Sequence, residues 1–385
     1  MTQLTEKPAI NATSEMRAAK RLVIKVGSAI LCAPDGAPRS EWLSSLADDV
    51  ASLRNDGRQV VIVTSGAIAL GRHKLGLSGA LRLDEKQAAS AAGQVALAEA
   101  WQSAFAPHGI NIAQILLTLD DTEGRRRYLN ARTTLRTLLD LGALPLVNEN
   151  DTIATSEIRY GDNDRLAAHA AQLIGSDLLV ILSDIDGLYT ADPRKDSSAK
   201  HIDVVDVITP EIEQSAGGAN ASAGVGSGGM ASKIAAAKIA GGAGCAAIIA
   251  PGTGNNPIKA ILDGGASTLF RPSTTPANAR RLWIGGRLKP AGQIMIDDGA
   301  AKALQKGASL LPAGVTEVRG NFTRGDAVEI ITKGDKVIAQ GLSAYYSDEM
   351  RAIAGCKSDQ LEAVLGYKRR PAVVEKDDLV LRTEK

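Results

Sequence analysis

The chain is poor in cysteine, aromatics and histidine, and it has almost no net charge. Its three cysteines, Cys32, Cys245 and Cys356, lie far apart and form no C-x-x-C pair. That argues against a disulfide framework and a cysteine zinc site, and it fits a reducing cytoplasm. Aromatics make up 3% of the 385 residues, while Gly and Ala are plentiful, which suits helices packed closely on a sheet better than an aromatic-rich sandwich. A net charge of +1 gives no overall pull toward nucleic acid or a membrane surface. No apolar run approaches membrane-spanning length. The first twenty residues lack the apolar centre of a signal peptide and read as a frayed tail. The Walker pattern G-x-x-x-x-G-K-[ST] is missing, and no fixed-period repeat is visible. His73, His108, His169 and His201 are scattered and read as structural or surface residues.

What is present begins with apolar strands that stop in small or polar residues. Arg21 to Val26 runs into Gly27-Ser28, Gln59 to Thr64 into Ser65-Gly66-Ala67, Leu144 to Val147 into Asn148-Glu149-Asn150-Asp151, and Leu178 to Leu182 into Ser183-Asp184. Further strands are expected at Ile110 to Leu117 and Ala246 to Ala250. Helices are expected over Glu41 to Arg54, Lys86 to Phe105, Arg125 to Leu141, from Arg165 through Leu173, and Met230 to Ala240. Continuous apolar strands alternating with helices indicate a parallel sheet covered on both faces. Near Arg271 the texture changes. A Pro/Ser/Thr-rich run leads into short β-like segments at Gln293 to Ile296, Ala327 to Ile331 and Lys336 to Gly341, with Gly-Asp turns between some of them. The expected divisions are therefore a tail over 1–20, an α/β domain over 21–270, a linker over 271–288 and a small β module over 289–385. From Arg271 onward there are 19 Lys and Arg against 14 Asp and Glu, so this part is net +5 and the rest net −4. That asymmetry supports separate modules.

With right-handed crossovers the four strand ends share one edge, where open α/β sheets bind ligands. The polar stretch Asn148 to Asp164 follows one of them and concentrates carboxylates and asparagines; a solvated loop with ordinary Asx turns is the alternative. Lys25, inside an apolar strand, either reaches a ligand or carboxylate at that edge or snorkels to solvent. Gly224 to Met230 contains G-x-G-x-x-G, but a polar run precedes it instead of a strand, so it is a poor dinucleotide fingerprint. It feeds a helix with Ser232 and Lys233 in its first turn, and thus reads either as a phosphate site or as a Gly/Ser loop without a ligand. Two lysines, several carboxylates for a metal and no well-placed histidine suggest phosphoryl transfer to a nucleophile that needs no general base. A carboxylate, already ionised at neutral pH, meets that description.

Together the motifs resemble those of the glutamate 5-kinases, members of the amino-acid kinases, in the form with a C-terminal PUA domain. The resemblance runs from Arg21 to about Val374. It rests on I-K-V-G-S (24–28), V-T-S-G-A-I-A-L-G (63–71), V-N-E-N-D (147–151), G-D-N-D (161–164), S-D-I-D-G-L-Y-T-A-D-P (183–193) and G-S-G-G-M-A-S-K (226–233). It implies an α/β/α sandwich with a mainly parallel central sheet plus a small, mostly-β PUA-like domain. The implied reaction is ATP- and Mg2+-dependent phosphorylation of the L-glutamate side-chain carboxylate, the first step of proline biosynthesis. Carried over by position, Lys25 would contact the transferring phosphoryl group and Lys233 the ATP phosphates. Ser65, Asp151 and Asn163 would hold glutamate, with Asn148 lining the same pocket. Asp164 would orient the lysines and itself lie at the metal. Ser183, Asp184 and Ser227, Gly228, Gly229, Met230, Ala231, Ser232 and Lys233 would form the nucleotide site. Ser183, Ser227 and Ser232 stand where relatives commonly have Thr, and each keeps the hydroxyl.

The resemblance further implies inhibition by proline, with the loop Thr152 to Tyr160, including Glu157 and Ile158, as the place of control. It also implies a homo-oligomer, dimer or tetramer. RNA binding by the last module is compatible with Lys368-Arg369-Arg370, but the few aromatics disfavour it. Two alternatives stand beside this reading. One is a kinase of the same fold acting on acetylglutamate or aspartate; the other is an RNA-binding protein whose kinase domain is vestigial.

Overall fold

The computed structural model describes residues 10–153, 162–217, 229–282, 284–285 and 288–382. The chain divides into two compact units at Pro276/Ala277, with Arg125–Leu129 grouped with the second.

The first unit is built on ten strands: β1 Arg21–Val26, β2 Gln59–Val63, β3 Ile112–Leu117, β4 Leu144–Glu149, β5 Leu178–Ser183, β6 Leu188–Tyr189, β7 His201–Ile202, β8 Val204–Val205, β9 Ala246–Pro251 and β10 Thr268–Phe270. Eight of them form one sheet in the order β3-β4-β2-β1-β5-β9-β10-β8. From β3 to β9 every pairing is parallel. The expected parallel sheet is therefore present. β10, which turns back antiparallel on β9, was not foreseen; its three residues are too few to carry a periodic signal.

The helices of this unit are α1 Ala12–Ala18, α2 Ser28–Leu31, α3 Ser40–Asn55, α4 Ala67–Lys74, α5 Leu83–Phe105, α6 Leu119–Glu123, α7 Arg125–Asp140, α8 Asp162–Ile174, α9 Pro210–Gly217, α10 Met230–Gly242 and α11 Pro257–Leu262. Alternate residues of each central strand face opposite sides. Leu22, Ile24, Val60, Ile62, Leu146 and Val180 join one core cluster with Met16 of α1, Trp42 and Leu46 of α3, Leu97, Trp101 and Phe105 of α5, and Ile258 of α11. On the other side α8 and α10 pack on each other and reach β1, β5 and β9. Helices on both faces explain why the strands are apolar throughout.

The segment read as a frayed tail is helical over Ala12–Ala18. Asn11 caps α1, and Met16 is fully buried. Burying such a side chain contributes roughly 1.5–3 kcal/mol, enough to hold a short helix that would not persist alone. The helix expected from Arg165 begins instead at Asp162, so Asn163 and Asp164, read as part of the polar stretch before it, sit in its first turn.

The second unit contains β11 Gly292–Ile296, β12 Val315–Gly320, β13 Ala327–Ile331, β14 Val337–Leu342 and β15 Leu379–Leu381, in the order β12-β11-β13-β14-β15. Ile294, Ile296, Val328, Ile330, Tyr345, Met350 and Val373 belong to its separate core. Helix α12, Pro276–Leu282, occupies part of the stretch read as linker.

Candidate active site

The strand register lines up the residues the sequence singled out. Lys25 pairs with Val63 of β2 and Ile181 of β5, and Val63 pairs with Val147 of β4. One residue further along, Thr64 and Asn148 therefore stand side by side at the carboxyl edge. Gly66, at φ +106°, turns the chain from β2 into α4 and leaves Ser65 at the rim.

Lys25 does not snorkel. It is buried, and its Nζ lies 2.6 Å from Oδ1 of Asp164. Asp164 is wholly buried. Its Oδ2 accepts from Ser232 Oγ at 2.7 Å and lies 3.6 Å from Lys233 Nζ. Thus α8 supplies the carboxylate and β1 and α10 supply the ammonium groups. Burial pushes the Asp164 carboxyl up, but the two lysine charges and the hydrogen bonds from Lys25 and Ser232 outweigh it and hold the group below the usual carboxylate range. Burial draws Lys233 down, and Asp164 only partly offsets that. The trio carries one more positive than negative charge, and a buried excess of that kind favours an arriving anion.

A second cluster is made of neutral amides. Asn163 Nδ2 donates to Ser65 Oγ at 2.8 Å, to the Thr64 carbonyl at 3.2 Å and to Asn148 Oδ1 at 3.3 Å. Asn148 Nδ2 donates to Gln94 Oε1 at 2.9 Å. Asp151, also buried, accepts from Ser90 Oγ at 2.6 Å. On the other flank Ser183 Oγ donates to Asp184 Oδ1 at 3.0 Å, and the charge of Asp184 acts on Lys233. Gly229 caps α10 in extended conformation, which places Met230, Ala231, Ser232 and Lys233 in its first turn.

The model of the amino acid kinase family matches residues 20–251, and that of the PUA domain matches residues 292–365. A glutamate 5-kinase from Paramagnetospirillum magneticum is 54% identical over 96% of this chain and 99% of its own length. Those from Agrobacterium fabrum and Caulobacter vibrioides are 55% and 56% identical over 94% of this chain, and over 92% and 97% of their own lengths. The chain belongs to the glutamate 5-kinase family. It is a kinase with a mainly parallel α/β domain followed by a PUA domain rich in strands. Among solved structures, UMP kinase from Bacillus anthracis covers 67% of this chain and 98% of its own at 17% identity and TM-score 0.45; the family assignment does not rest on it.

Of the positions matched to glutamate 5-kinases, the structure brings Lys25, Asp164, Ser232 and Lys233 into one group, and Ser65, Asn148 and Asn163 into another. Asn163 and Asp164, adjacent on α8, join the two. Ser227 and Gly228 lie outside the described residues, as do Glu157, Ile158 and the rest of 154–161. Both oxygens of Asp164 are engaged by protein groups, and among the described residues no three His, Cys, Asp or Glu gather as a metal site. Among the described residues there is thus no all-protein cage for Mg2+, an ion that ordinarily takes one or two carboxylates together with nucleotide phosphates.

Sequence reasoning overlooked Ser90 and Gln94. Both fall on the face of α5 that also carries Leu97 and Trp101, the i, i+4, i+7, i+11 stripe that faces the sheet. Polar residues on a buried stripe were the available signal, and the Ala-rich surroundings obscured it.

Proposed function

We propose that the chain transfers the γ-phosphoryl group of ATP to the side-chain carboxylate of L-glutamate, giving L-glutamyl 5-phosphate and ADP, as the first step of proline biosynthesis. The carrying observation is the buried Lys25–Asp164–Lys233 trio at the sheet edge. A carboxylate oxygen attacks the γ-phosphorus, the bond to the bridging oxygen breaks, and ADP leaves with that electron pair. No base is required, because a glutamate carboxyl with an ordinary pKa of about 4.3 is already ionised. The obstacle is repulsion between two anions: unit charges ~4 Å apart interact by about 4 kcal/mol at an effective dielectric of 20. In this reading Lys25 and Lys233 offset that repulsion at the phosphoryl group, and Asp164 keeps both ammonium groups aimed at it. Ser65, Asn148, Asp151 and Asn163 hold the amino acid. Ser183, Asp184 and the start of α10 hold the nucleotide. Mg2+ bound together with ATP would add further charge neutralisation.

Family membership supports three companion readings: inhibition by proline, a homo-oligomer and a cytoplasmic location. Among the described residues no helix is long and apolar enough to cross a membrane. The deciding experiment incubates the protein with ATP, Mg2+ and a panel of glutamate, aspartate and N-acetylglutamate, trapping acyl phosphate with hydroxylamine. Signal with glutamate alone is expected. Signal with aspartate or N-acetylglutamate instead overturns the substrate assignment.

A further inference from the structure

The amide cluster has a direction, and main-chain chemistry sets it. The Thr64 carbonyl can only accept, so the end of the Asn163 amide facing it must be nitrogen. The Asn148 atom facing that nitrogen must then be oxygen, its other end must be nitrogen, and Gln94 must answer with Oε1. Two atoms are left over. Asn163 Oδ1 and Gln94 Nε2 are both buried, and neither has a hydrogen-bond partner among the described residues. Buried polar atoms are rarely left so, and a pair of them beside a group of buried charges at the carboxyl edge of a sheet points to a ligand. The leftover oxygen is an acceptor on the residue next to Asp164; the leftover nitrogen is a donor at the far end of the chain.

One turn before Gln94 on the same helix, Ser90 holds Asp151. Its hydroxyl is buried and donates to Asp151 Oδ2 at 2.6 Å. The two polar residues of the buried stripe of α5 thus each grip a residue at the carboxyl end of β4: Asn148 within the strand's last two residues and Asp151 just beyond it. Nothing in the packing of α5 on the sheet needs these hydroxyl and amide groups, since Leu97 and Trp101 fill the same stripe with apolar contact.

We infer that α5 is part of the amino-acid pocket, with Ser90 and Gln94 as positioning residues that fix how the pocket reads the substrate's head group; this rests on the reading given under Proposed function. Ser90 sets the rotamer of the Asp151 carboxylate. Gln94 closes the far end of the amide chain, so that Asn148 cannot turn over and Asn163 Oδ1 stays an acceptor. Asp151 and Asn163 Oδ1 together suit a donor group of positive charge, the α-ammonium of a free amino acid. The Gln94 nitrogen and the Ser65 hydroxyl suit its α-carboxylate. A substrate with a blocked amino group has no cation for the first pair.

The test measures kcat and the KM of each substrate in the full chain carrying Ser90→Ala, Gln94→Met or Gln94→Glu, with thermal melting as the control for folding. Losing one hydrogen bond to a pocket residue should raise the KM for glutamate about tenfold in Ser90→Ala and in Gln94→Met. The KM for ATP should stay within about twofold, since no nucleotide group is touched. Gln94→Glu keeps the shape of the side chain and the oxygen facing Asn148 but turns the leftover donor into an acceptor, so its glutamate KM should rise at least as far as in Gln94→Met, which a packing role alone would not cause. Unchanged glutamate KM in both single variants overturns the inference. So does a parallel rise in the KM for ATP, or a Gln94→Glu variant with the glutamate KM of the wild type. If the wild-type chain uses aspartate instead, the function reading fails, and the same ratios measured on aspartate still decide the role of α5. A preference for N-acetylglutamate overturns both.

Discussion

Lysine and aspartate at an apolar sheet edge are costly unless they have one another, and here two lysines share one carboxylate. Taking either lysine away removes a charge that counts most while the phosphoryl group moves. Lys25→Ala and Lys233→Ala are expected to lower kcat by on the order of 10²–10³-fold, the scale seen when a preorganised donor is deleted from an active site, with melting temperatures close to wild type; near-normal turnover in steady-state assays would remove the assigned roles. The pH dependence has a definite sign. Lys233 sits below the 10.5 of an ordinary lysine because burial disfavours its charge, so it loses its proton earlier as pH rises. Turnover should therefore fall on an alkaline limb below 10.5, and that limb should move upward in Lys233→Arg, provided the guanidinium supports activity there. Asp164, held below its usual range, stays ionised through mild acid, and its pairing is lost only as pH falls through that depressed value. At this scale Lys25 and Lys233 were visible in the sequence as charges in apolar or Gly-rich settings, and Asp164 as a carboxylate of a polar stretch whose role the family resemblance implied. Ser90 and Gln94 were not, because a polar residue on a helix acquires a role only when the opposite wall is known.

Helix α5 reaches the pocket because α4 lets it come unusually close. A Cβ on Gly71 would lie 1.7 Å from the Ala89 carbonyl oxygen, and one on Gly93 would lie 1.8 Å from that of Ala67. Neither glycine is required by its backbone angles; each is required by the other helix. The crossing sets the depth of Ser90 and Gln94, which flank Gly93. Gly93→Ala should force the helices apart, destabilise the domain by about 1–3 kcal/mol or more as overpacking does, and raise the glutamate KM more than that for ATP. Thermal melting and substrate kinetics check both parts; an unchanged melting temperature would mean that the crossing relaxes freely. The helix itself was legible in its Ala-rich composition. Its closeness to α4 was not, since a small residue in a sequence does not name the surface that approaches it.

On the scale of the whole chain, two units carry separate cores, and every described residue of the proposed site belongs to the first. In the second, the basic run Lys368-Arg369-Arg370 is less available than its sequence suggests. Arg369 pairs with Glu349 at 2.6 Å and lies over the rings of Tyr345 and Tyr367, with its Cζ 4.8 and 5.7 Å from their centroids. A guanidinium already paired and stacked offers little to phosphates, so the full chain is expected to bind structured RNA only weakly at physiological salt. Tight, sequence-specific association in a filter-binding or fluorescence assay would reverse that expectation. The sequence alone determined the run of apolar strands, the polar turns that end them and the change of texture near Arg271, because each is written in contiguous residues with a local period. Tertiary structure alone decided that Met16 anchors a helix ahead of β1, that β10 runs backward, and that Ser90 meets Asp151 while Gln94 meets Asn148. Those partners are far apart along the chain, and what joins them is strand order and helix packing, which no local preference encodes.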